Sequence, residues 1–460
     1  MSNQITIRIN WEESPGVKPS LHAKTWCSLS IEIANTFITK VESVLSGSIR
    51  NHIYGSALPL FEWFLDNWWF IFGETWKPAS PIDRLDVSGR IIASRNPSYA
   101  SWIRRHDILA ARQGGSLPDL LFCFDGDSIL AKWSSDPVEA SQNSSRPVRF
   151  LSQGIARLDP EQFLNEVSRF MSSVIDRISQ EEDADARQAI DQWQAIQGCT
   201  RSEKKDYLSI ASLGIDPFDP GDSVDQLLER IQQYRSSLGS TLSQDLLDAS
   251  TVDALDQDKL FIDSALYQLH LAAPKDLESS ITSTHLWEGL PAHEAGYKRA
   301  AEIRERLGLR SFITEIELKH AFRMFAKQDA TIGEIENPAQ ADSQNIEAVV
   351  GMAHGDPIVF AKPLPRASNR KFRLGRCLHQ FAFGHANESP RLVTKSRSWE
   401  QRASRAFAAE LLAPKEELRK RFRSETDLEE IEEAANEYEI SSRVIEFQIE
   451  NHRLSIIAQL

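Results

Sequence analysis

The side chains best suited to chemistry lie between residues 371 and 414. Cys377, His379 and His385 follow one another there, and Glu400 comes shortly afterwards. Thiolate, imidazole and carboxylate groups are the usual protein ligands of zinc, and zinc-bound water is an effective nucleophile for hydrolysis. This stretch is therefore the first place to look for a hydrolytic metal site.

The spacing of these groups does not make a helical metal site. In an HExxH helix the two histidines, four residues apart, are offset by about 40° around the axis and bind one zinc ion together. Four residues after His379 stands Phe383, and Cys377 lies about 200° from His379 around a helix. A metal held in a shifted register is therefore not expected.

Two helices must position these groups. Apolar residues recur at helical spacing in 372–385 and again before a stop at Pro414. The residues concerned are Leu374, Leu378, Phe381 and Ala382 in the first segment and Ala403, Phe407 and Leu411 in the second.

The two predicted helices resemble the active-site helix pair of the ImmA/IrrE family of zinc metallopeptidases. In that family a phrase like RFTLAHELAHLLLGH is followed by one like ExxAxxFAAELLMP. This chain has KFRLGRCLHQFAFGH at 371–385 and EQRASRAFAAELLAP at 400–414. The resemblance implies a zincin-like domain in the last third of the chain.

The resemblance also implies that the metal site is degenerate. Arg376, Cys377 and Gln380 stand where the family has its two histidine ligands and its catalytic glutamate. Arginine offers no lone pair, glutamine is a feeble zinc ligand, and a thiol replaces the carboxylate base. We therefore expect a peptidase fold without metal or other cofactor, with Cys377 inactive at the catalytic position. The candidate binding residues are Arg376, His379, Gln380, His385 and Glu400.

Glu400 matches the third, carboxylate ligand of the family. Without zinc, a buried carboxylate needs another cation, and a guanidinium can pair with it through two hydrogen bonds. We therefore expect a direct ion pair between Arg376 and Glu400.

Composition limits the class of protein. The chain has 460 residues, 41% of them hydrophobic and 26% charged, which is typical of a globular protein with two or three domains. A formal charge of −14 argues against a general polyanion binder. The four cysteines are widely spread, which favours reduced thiols and a cytoplasmic location. We expect neither a signal peptide nor a membrane anchor.

The chain is predicted to be α+β and mainly helical, with three domains. Residues 1–147 are predicted to form an α/β domain, 151–285 a helical middle domain, and 286–460 the ImmA/IrrE-like domain. The boundary near 147 follows a polar, proline-containing stretch. After it, apolar residues recur at helical spacing and strand signals nearly vanish.

Several local patterns in the first domain predict structure. Alternating isoleucines at the start predict a half-buried strand, and 31–44 is predicted to be helical. The aromatic stretch 58–76 predicts a buried helix whose tryptophans belong to the core. Two apolar runs, 120–124 and 129–133, predict a β-hairpin. The basic residues Arg104, Arg105 and His106 favour a solvated helix face over a phosphate site.

Three functional hypotheses follow. The first is a pseudo-peptidase that binds a protein or peptide in the cleft where its relatives cut, as a sensing or regulatory component of bacterial stress response or phage defence. The second is an active zinc endopeptidase with non-standard ligands such as Glu400, His385, Cys377 or His354. The third is a nucleic-acid-binding transcriptional regulator. A protein or peptide partner is expected, nucleic acid is not, and no membrane is involved.

Overall fold

The computed structural model describes residues 4–15, 21–75, 97–112, 115–126, 128–136, 147–219, 222–271, 290–309, 312–326, 328–334, 343–353, 356–384, 389–422 and 425–457. The chain forms two compact units, Met1–Leu228 and Glu229–Leu460. Both units contain helices and strands, which confirms the predicted mixed α and β class. None of the described helices combines the length and apolar composition that a bilayer span requires.

The first unit contains ten described strands and six described α-helices. The strands are β1 (Ile5–Trp11), β2 (Trp26–Ile33), β3 (Thr36–Phe37), β4 (Val41–Ser43), β5 (Ile49–Arg50), β6 (Ile53–Ser56), β7 (Asp119–Phe124), β8 (Ile129–Ser134), β9 (Val148–Phe150) and β10 (Gly154–Leu158). The helices are α1 (Leu21–Lys24), α2 (Leu58–Gly73), α3 (Pro97–His106), α4 (Pro160–Ile178), α5 (Ala184–Gly198) and α6 (Arg201–Ser212).

Three small antiparallel sheets organise this unit. In the first, β2 lies between β1 and β6 and also pairs with β3; the others have the orders β10-β8-β7 and β5-β4-β9. The predicted opening strand and the predicted hairpin are confirmed as β1 and as β7 with β8.

The helix predicted at 31–44 is wrong, because this segment holds the end of β2 with β3 and β4. Burial there has the period of a strand: Ile31 and Ile33 are buried and the intervening Glu32 is not.

Helix α2 supplies the aromatic centre of the first unit. Trp63, Trp68 and Trp69 are each only 5% exposed, which confirms that these three rings belong to the core, whereas Trp76 lies outside the described residues. Trp68 meets Trp193 of α5 edge to face, with ring centroids 5.0 Å apart. Trp69 meets Tyr207 of α6 at 5.1 Å. Edge-to-face pairs of this kind add to the free energy gained by burial of the rings.

Segments on both sides of the predicted boundary at 147 build the same unit. Strand β9 pairs with β4, and β10 pairs with β8. Helix α4 packs beside β1, where Arg169 donates to the backbone oxygen of Ile7 at 2.5 Å. The observed two units thus differ from the three predicted domains.

Of the three basic residues at the end of α3, Arg104 is exposed as expected, but Arg105 and His106 are not part of a solvated face. Arg105 donates two hydrogen bonds to the buried carboxylate of Glu74, at 2.6 and 2.8 Å. His106 is fully buried and lies between Glu74 Oε2, at 3.1 Å, and the backbone oxygen of Phe122, at 3.0 Å. Although burial opposes ionisation, the hydrogen bonds from His106 and Arg105 hold the pKa of Glu74 below its usual value. These contacts fix the end of α3 on α2.

The second unit surrounds a mixed sheet with helices. Helix α7 (Asp222–Ala249) includes the boundary between the units and is interrupted at Gly239, whose φ is 78°. The later helices are α8 (Leu255–Leu271), α9 (Ala292–Arg306), α10 (Glu315–Ala321), α11 (Ala367–Phe383), α12 (Trp399–Leu412), α13 (Lys415–Arg421), α14 (Leu428–Tyr438) and α15 (Ser442–His452). The strands are β11 (Thr331–Glu334), β12 (Ile346–Ala353), β13 (Asp356–Ala361), β14 (Arg391–Thr394), β15 (Glu425–Thr426) and β16 (Ile456–Ile457).

The larger sheet of this unit has the order β11-β13-β12-β14, with β11 parallel to β13 and the other pairs antiparallel. Helix α11 packs against this sheet and against α12, and their apolar faces share one buried cluster that includes Leu374, Phe381 and Phe407. The predicted positions of the two helices are therefore confirmed.

Candidate functional site

Close helix packing brings the candidate residues together. Helix α12 lies between α9 and α11, and a glycine lies at each of the two contacts. A Cβ atom at Gly296 of α9 would lie 2.4 Å from the backbone oxygen of Ala403, and one at Gly375 of α11 would lie 3.2 Å from the Cβ of Ala408. The first distance is too short for any side chain, so α9 can approach α12 this closely only with glycine at 296.

Arg376 lies at the centre of the α11–α12 contact and is only 2% exposed. Its guanidinium forms an ion pair with Glu347 of β12. It also donates to the backbone oxygen of Thr394 at 2.6 Å and to Gln401 Oε1 at 2.8 Å. A fourth hydrogen bond runs from its Nε to Ser404 Oγ at 3.2 Å. Arg376 therefore ties β12, β14 and α12 to α11.

The expected ion pair between Arg376 and Glu400 is wrong. In the described part of the chain, the carboxylate that Arg376 contacts is that of Glu347. Glu400, in the first turn of α12, is half-buried and acts electrostatically on Arg299 and Arg391. Arg376 is therefore a buried, paired cation, and strand β12 supplies its carboxylate.

His379 is fully buried and is neutral in the folded protein. Burial, followed by the charges of Arg299, Arg391 and Arg376, holds the pKa of His379 well below its usual value of 6.5. Its Nε2 lies 2.9 Å from Nη1 of Arg299. Because a guanidinium can only donate, Nε2 is the acceptor and the ring proton is on Nδ1. The lone pair that could bind zinc is therefore occupied by Arg299.

Arg299 is itself held between aromatic rings. Its guanidinium carbon lies 5.0 Å from the ring centre of Phe383 and 5.2 Å from that of Trp399. Burial lowers the pKa of Arg299, and the charge of Glu400 opposes this shift. The two rings and the nearby carboxylate stabilise the cation beside His379.

Cys377 and Gln380 lack the properties of catalytic residues, because the Cys377 thiol is uncharged and the Gln380 amide has no hydrogen-bond partner among the described residues. Cys377 is fully buried, and burial raises the pKa of its thiol to about 12, so the thiol stays protonated at neutral pH. Gln380 is also fully buried, and neither atom of its amide has a hydrogen-bond partner among the described residues. Neither side chain can act as a general base in this environment.

A second buried ion pair closes the site on the side of β14. Arg391 donates to both carboxylate oxygens of Asp245, at 2.9 and 3.1 Å, and to the backbone oxygen of Gly384 at 2.6 Å. Burial disfavours the Arg391 cation, but Asp245 outweighs this effect and raises its pKa. Asp245 belongs to α7, far away in sequence, and no local pattern marks it as a site residue.

Zinc does not fit this set of groups. The imidazole lone pair of His379 is held by Arg299, Cys377 is a protonated thiol, and Arg376 places a permanent cation in the helix contact. In the ranges that the structure describes, no group of three or more His, Cys, Asp or Glu side chains could hold a metal ion. His385 and His354, two of the alternative ligands considered above, lie outside the described residues.

Sequence reasoning missed Arg299, Glu347 and Asp245. For Arg299 a signal exists, because it stands on the apolar face of α9 among the buried residues Ala295, Gly296, Ala300 and Ile303. A basic residue on such a face calls for a buried partner. Glu347 and Asp245 carry no comparable signal.

Comparison with known proteins adds no further constraint. No family model matches the sequence, and no curated protein matches it.

Proposed function

We propose that the second unit has an ImmA/IrrE-type peptidase fold in which a buried arginine network replaces the metal centre. In this proposal the protein acts by binding a protein or peptide and not by cutting it. It would work in the bacterial cytoplasm, as a sensing or regulatory component of stress response or of defence against phages and mobile elements.

The observation that carries the proposal is the environment of Arg376. In active relatives a histidine ligand is expected at this position, whereas here a guanidinium has four hydrogen-bond acceptors. Hydrolysis of a peptide bond by this fold needs a metal-polarised water and a carboxylate base. The side chains at 376, 377 and 380 provide neither, but the hydrogen bonds of Arg376 join α11 to α12, β12 and β14.

An edge of the sheet supports the peptide-binding part of the proposal. Helix α11 packs against the sheet β11-β13-β12-β14. Among the described strands, β11 forms one edge of this sheet, and its Ile332 is 37% exposed. An edge strand can accept an extended peptide by backbone hydrogen bonds without any catalytic group.

Metal content and peptide cleavage test this proposal together. Protein purified without chelator is expected to hold no stoichiometric zinc after dialysis, and to leave a random peptide library intact when zinc is added. One zinc ion per chain that is lost in a Glu400→Ala variant would overturn the proposal, as would cleavage that the same variant abolishes.

A triple variant, Arg376→His with Cys377→Glu and Gln380→His, provides the matched comparison because it restores the HExxH spacing. If the fold is of the proposed type, the triple variant is expected to bind zinc that the unmodified protein does not bind. Failure of a folded triple variant to bind zinc would argue against the ImmA/IrrE-type geometry itself.

A further inference from the structure

The sheet β10-β8-β7 of the first unit has two different edges. At the β7 edge, backbone bridges join Phe124 to Thr75 and Leu121 to Asp107. At the β10 edge, the backbone of residues 154–158 forms no bridge or hydrogen bond with any described residue except those of β8. Strand β10 is therefore an open edge of the sheet.

The register of the strands shows which backbone groups lie on this open edge. The backbone N–H of Asp125 donates to the carbonyl oxygen of Ser128 at 3.0 Å, so these two residues form a hydrogen-bonded pair at the turn between β7 and β8. Hydrogen-bonded and non-hydrogen-bonded pairs alternate along an antiparallel ladder. The pairs through which β8 bonds to β10 are therefore Ile129 with Leu158, Ala131 with Ala156, and Trp133 with Gly154. Ile155 and Arg157 direct their backbone N–H and C=O groups away from β8.

The open edge lacks the features that usually prevent a further strand from pairing. Such edges are commonly protected by a proline, a bulge or a charged side chain. The register between β10 and β8 has no shift, and residues 154–158 contain no proline. The charged residue of this strand, Arg157, is held by Asp125 Oδ2 at 2.6 Å and by Ser128 Oγ at 3.1 Å. Its guanidinium is thus tied to its own sheet.

Ile155 adds an apolar side chain to the open edge. Its side chain is 63% exposed, whereas Leu158, on the opposite face of the strand, is buried in the core of the unit. A strand paired with β10 would cover Ile155 with the side chain directly opposite, and apolar β-branched or aromatic side chains are favoured in such cross-strand pairs. The backbone groups of Ile155 and Arg157 require donors and acceptors at strand spacing, which an extended peptide supplies.

We propose that β10 binds an extended segment of another protein, which adds a strand to the sheet and places an apolar residue beside Ile155. The open edge is five residues long. Two such edges paired with each other would bury far less than the roughly 1,200 Å² that a stable protein interface needs. A short peptide segment therefore fits this edge better than a second copy of the chain. The site lies in the first unit and does not depend on the proposed peptidase-type fold of the second.

Fluorescence anisotropy tests the site with a fluorescein-labelled peptide of alternating valine and threonine residues, which favours the extended conformation. We expect saturable binding with a Kd of about 1 mM or tighter. The matched control is the same peptide with every backbone nitrogen methylated. It keeps the side chains but lacks the backbone donors, so it should bind at least about tenfold more weakly. Hydrogen exchange of the unmodified protein should become slower in residues 154–158 when the unmethylated peptide is bound.

A proline variant removes one outward donor of the open edge. Ile155→Pro eliminates the N–H that points away from β8 and leaves the hydrogen bonds between β10 and β8 in place, so the chain should fold. Its affinity for the peptide should fall at least about tenfold. The matched control Ile155→Val keeps the N–H and a β-branched side chain and should leave the affinity unchanged. Circular dichroism checks that both variants fold, and the methylated peptide tests the same hydrogen bonds without any change to the protein.

The proposal is overturned if the unmethylated peptide does not bind at millimolar concentration, or if the methylated peptide binds equally well. Unchanged affinity in a folded Ile155→Pro variant also overturns it. Slower exchange in β11 and not in β10 would place the peptide on the second unit, which contradicts this proposal but not the proposed function. A dimer of the unmodified protein that Ile155→Pro abolishes in sedimentation would show that a second copy occupies the edge, and would overturn the proposal as well.

Discussion

Replacing Arg376 by alanine removes the cation that pairs with Glu347 and joins two strands to the α11–α12 pair. We expect this change to lower the stability of the second unit by about 3 kcal/mol. This loss of stability comes from the buried hydrogen-bond acceptors that lose the guanidinium, and from the lost packing of the aliphatic part of the arginine side chain.

The local contacts place the cost at the lower end of the usual range. Breaking a buried ion pair by removing one partner costs about 3–5 kcal/mol. Here the side chain of Glu347 is 30% exposed, so water can solvate part of the unpaired charge. The backbone oxygen of Thr394 keeps a hydrogen bond from Arg405 at 3.1 Å. Gln401 Oε1 keeps one from the backbone nitrogen of Thr394 at 2.9 Å.

Hydrogen exchange followed by mass spectrometry measures this loss where it occurs. Amides of α11 and α12 that exchange through opening of the unit should exchange on the order of 100-fold faster in Arg376→Ala, because about 1.4 kcal/mol corresponds to a factor of ten. Peptides from α2 in the first unit serve as the reference in the same sample.

A double variant, Arg376→Met with Glu347→Gln, removes both charges and should be less destabilised than the single variant. The reasoning fails if Arg376→Ala costs less than about 1 kcal/mol. It also fails if the double variant is as unstable as the single one, because the cost would then not come from the unpaired charge.

Three other changes test separate parts of the structure. Trp68→Ala should destabilise the first unit by about 3–5 kcal/mol in urea denaturation, and a variant of unchanged stability would contradict its core role. Because burial holds the folded-state pKa of His379 well below 6.5, only the unfolded chain takes up this proton as the pH falls. Stability should therefore drop below about pH 6.5, by up to about 1.4 kcal/mol per pH unit, and His379→Leu should flatten that dependence in urea midpoints. Cys377, with a thiol pKa raised to about 12, should resist iodoacetamide in the native protein under conditions that alkylate the half-buried Cys199, and equal labelling would refute its burial.

The elements with a clear period follow from the sequence alone. The alternating isoleucines predict β1, and apolar residues at helical spacing predict α11 and α12. The two apolar runs predict the hairpin of β7 and β8. The aromatic stretch predicts the core of the first unit, because rings of this size are stable only when largely removed from water. These patterns depend on neighbouring residues, so each can be recognised without knowing the rest of the fold.

The secondary structure of the segment 31–44 depends on pairing with β1, a strand outside the segment. Its apolar residues are compatible with a short helix, but Ile31 and Ile33 lie opposite Ile7 and Ile5 of β1 in the sheet. Pairing with a strand already formed by the chain start overrides local preference. The extent of the first unit also depends on pairing with strands distant in sequence, because β9 and β10 pair with β4 and β8, which precede residue 147.

The sequence by itself predicts helices α11 and α12 and indicates that a charge buried between them needs a partner of opposite sign. It does not place Arg376 in the core, because Arg376 lies about 200° around α11 from Leu374 of the predicted apolar face. Only the tertiary structure decided which groups would meet. Glu347 reaches Arg376 from 29 residues away because β12 lies beside α11, and Arg299 reaches His379 from 80 residues away because Gly296 lets α9 approach α12. A local pattern can show that a buried charge needs a partner, but the choice among several carboxylates depends on the order of strands and the packing of helices.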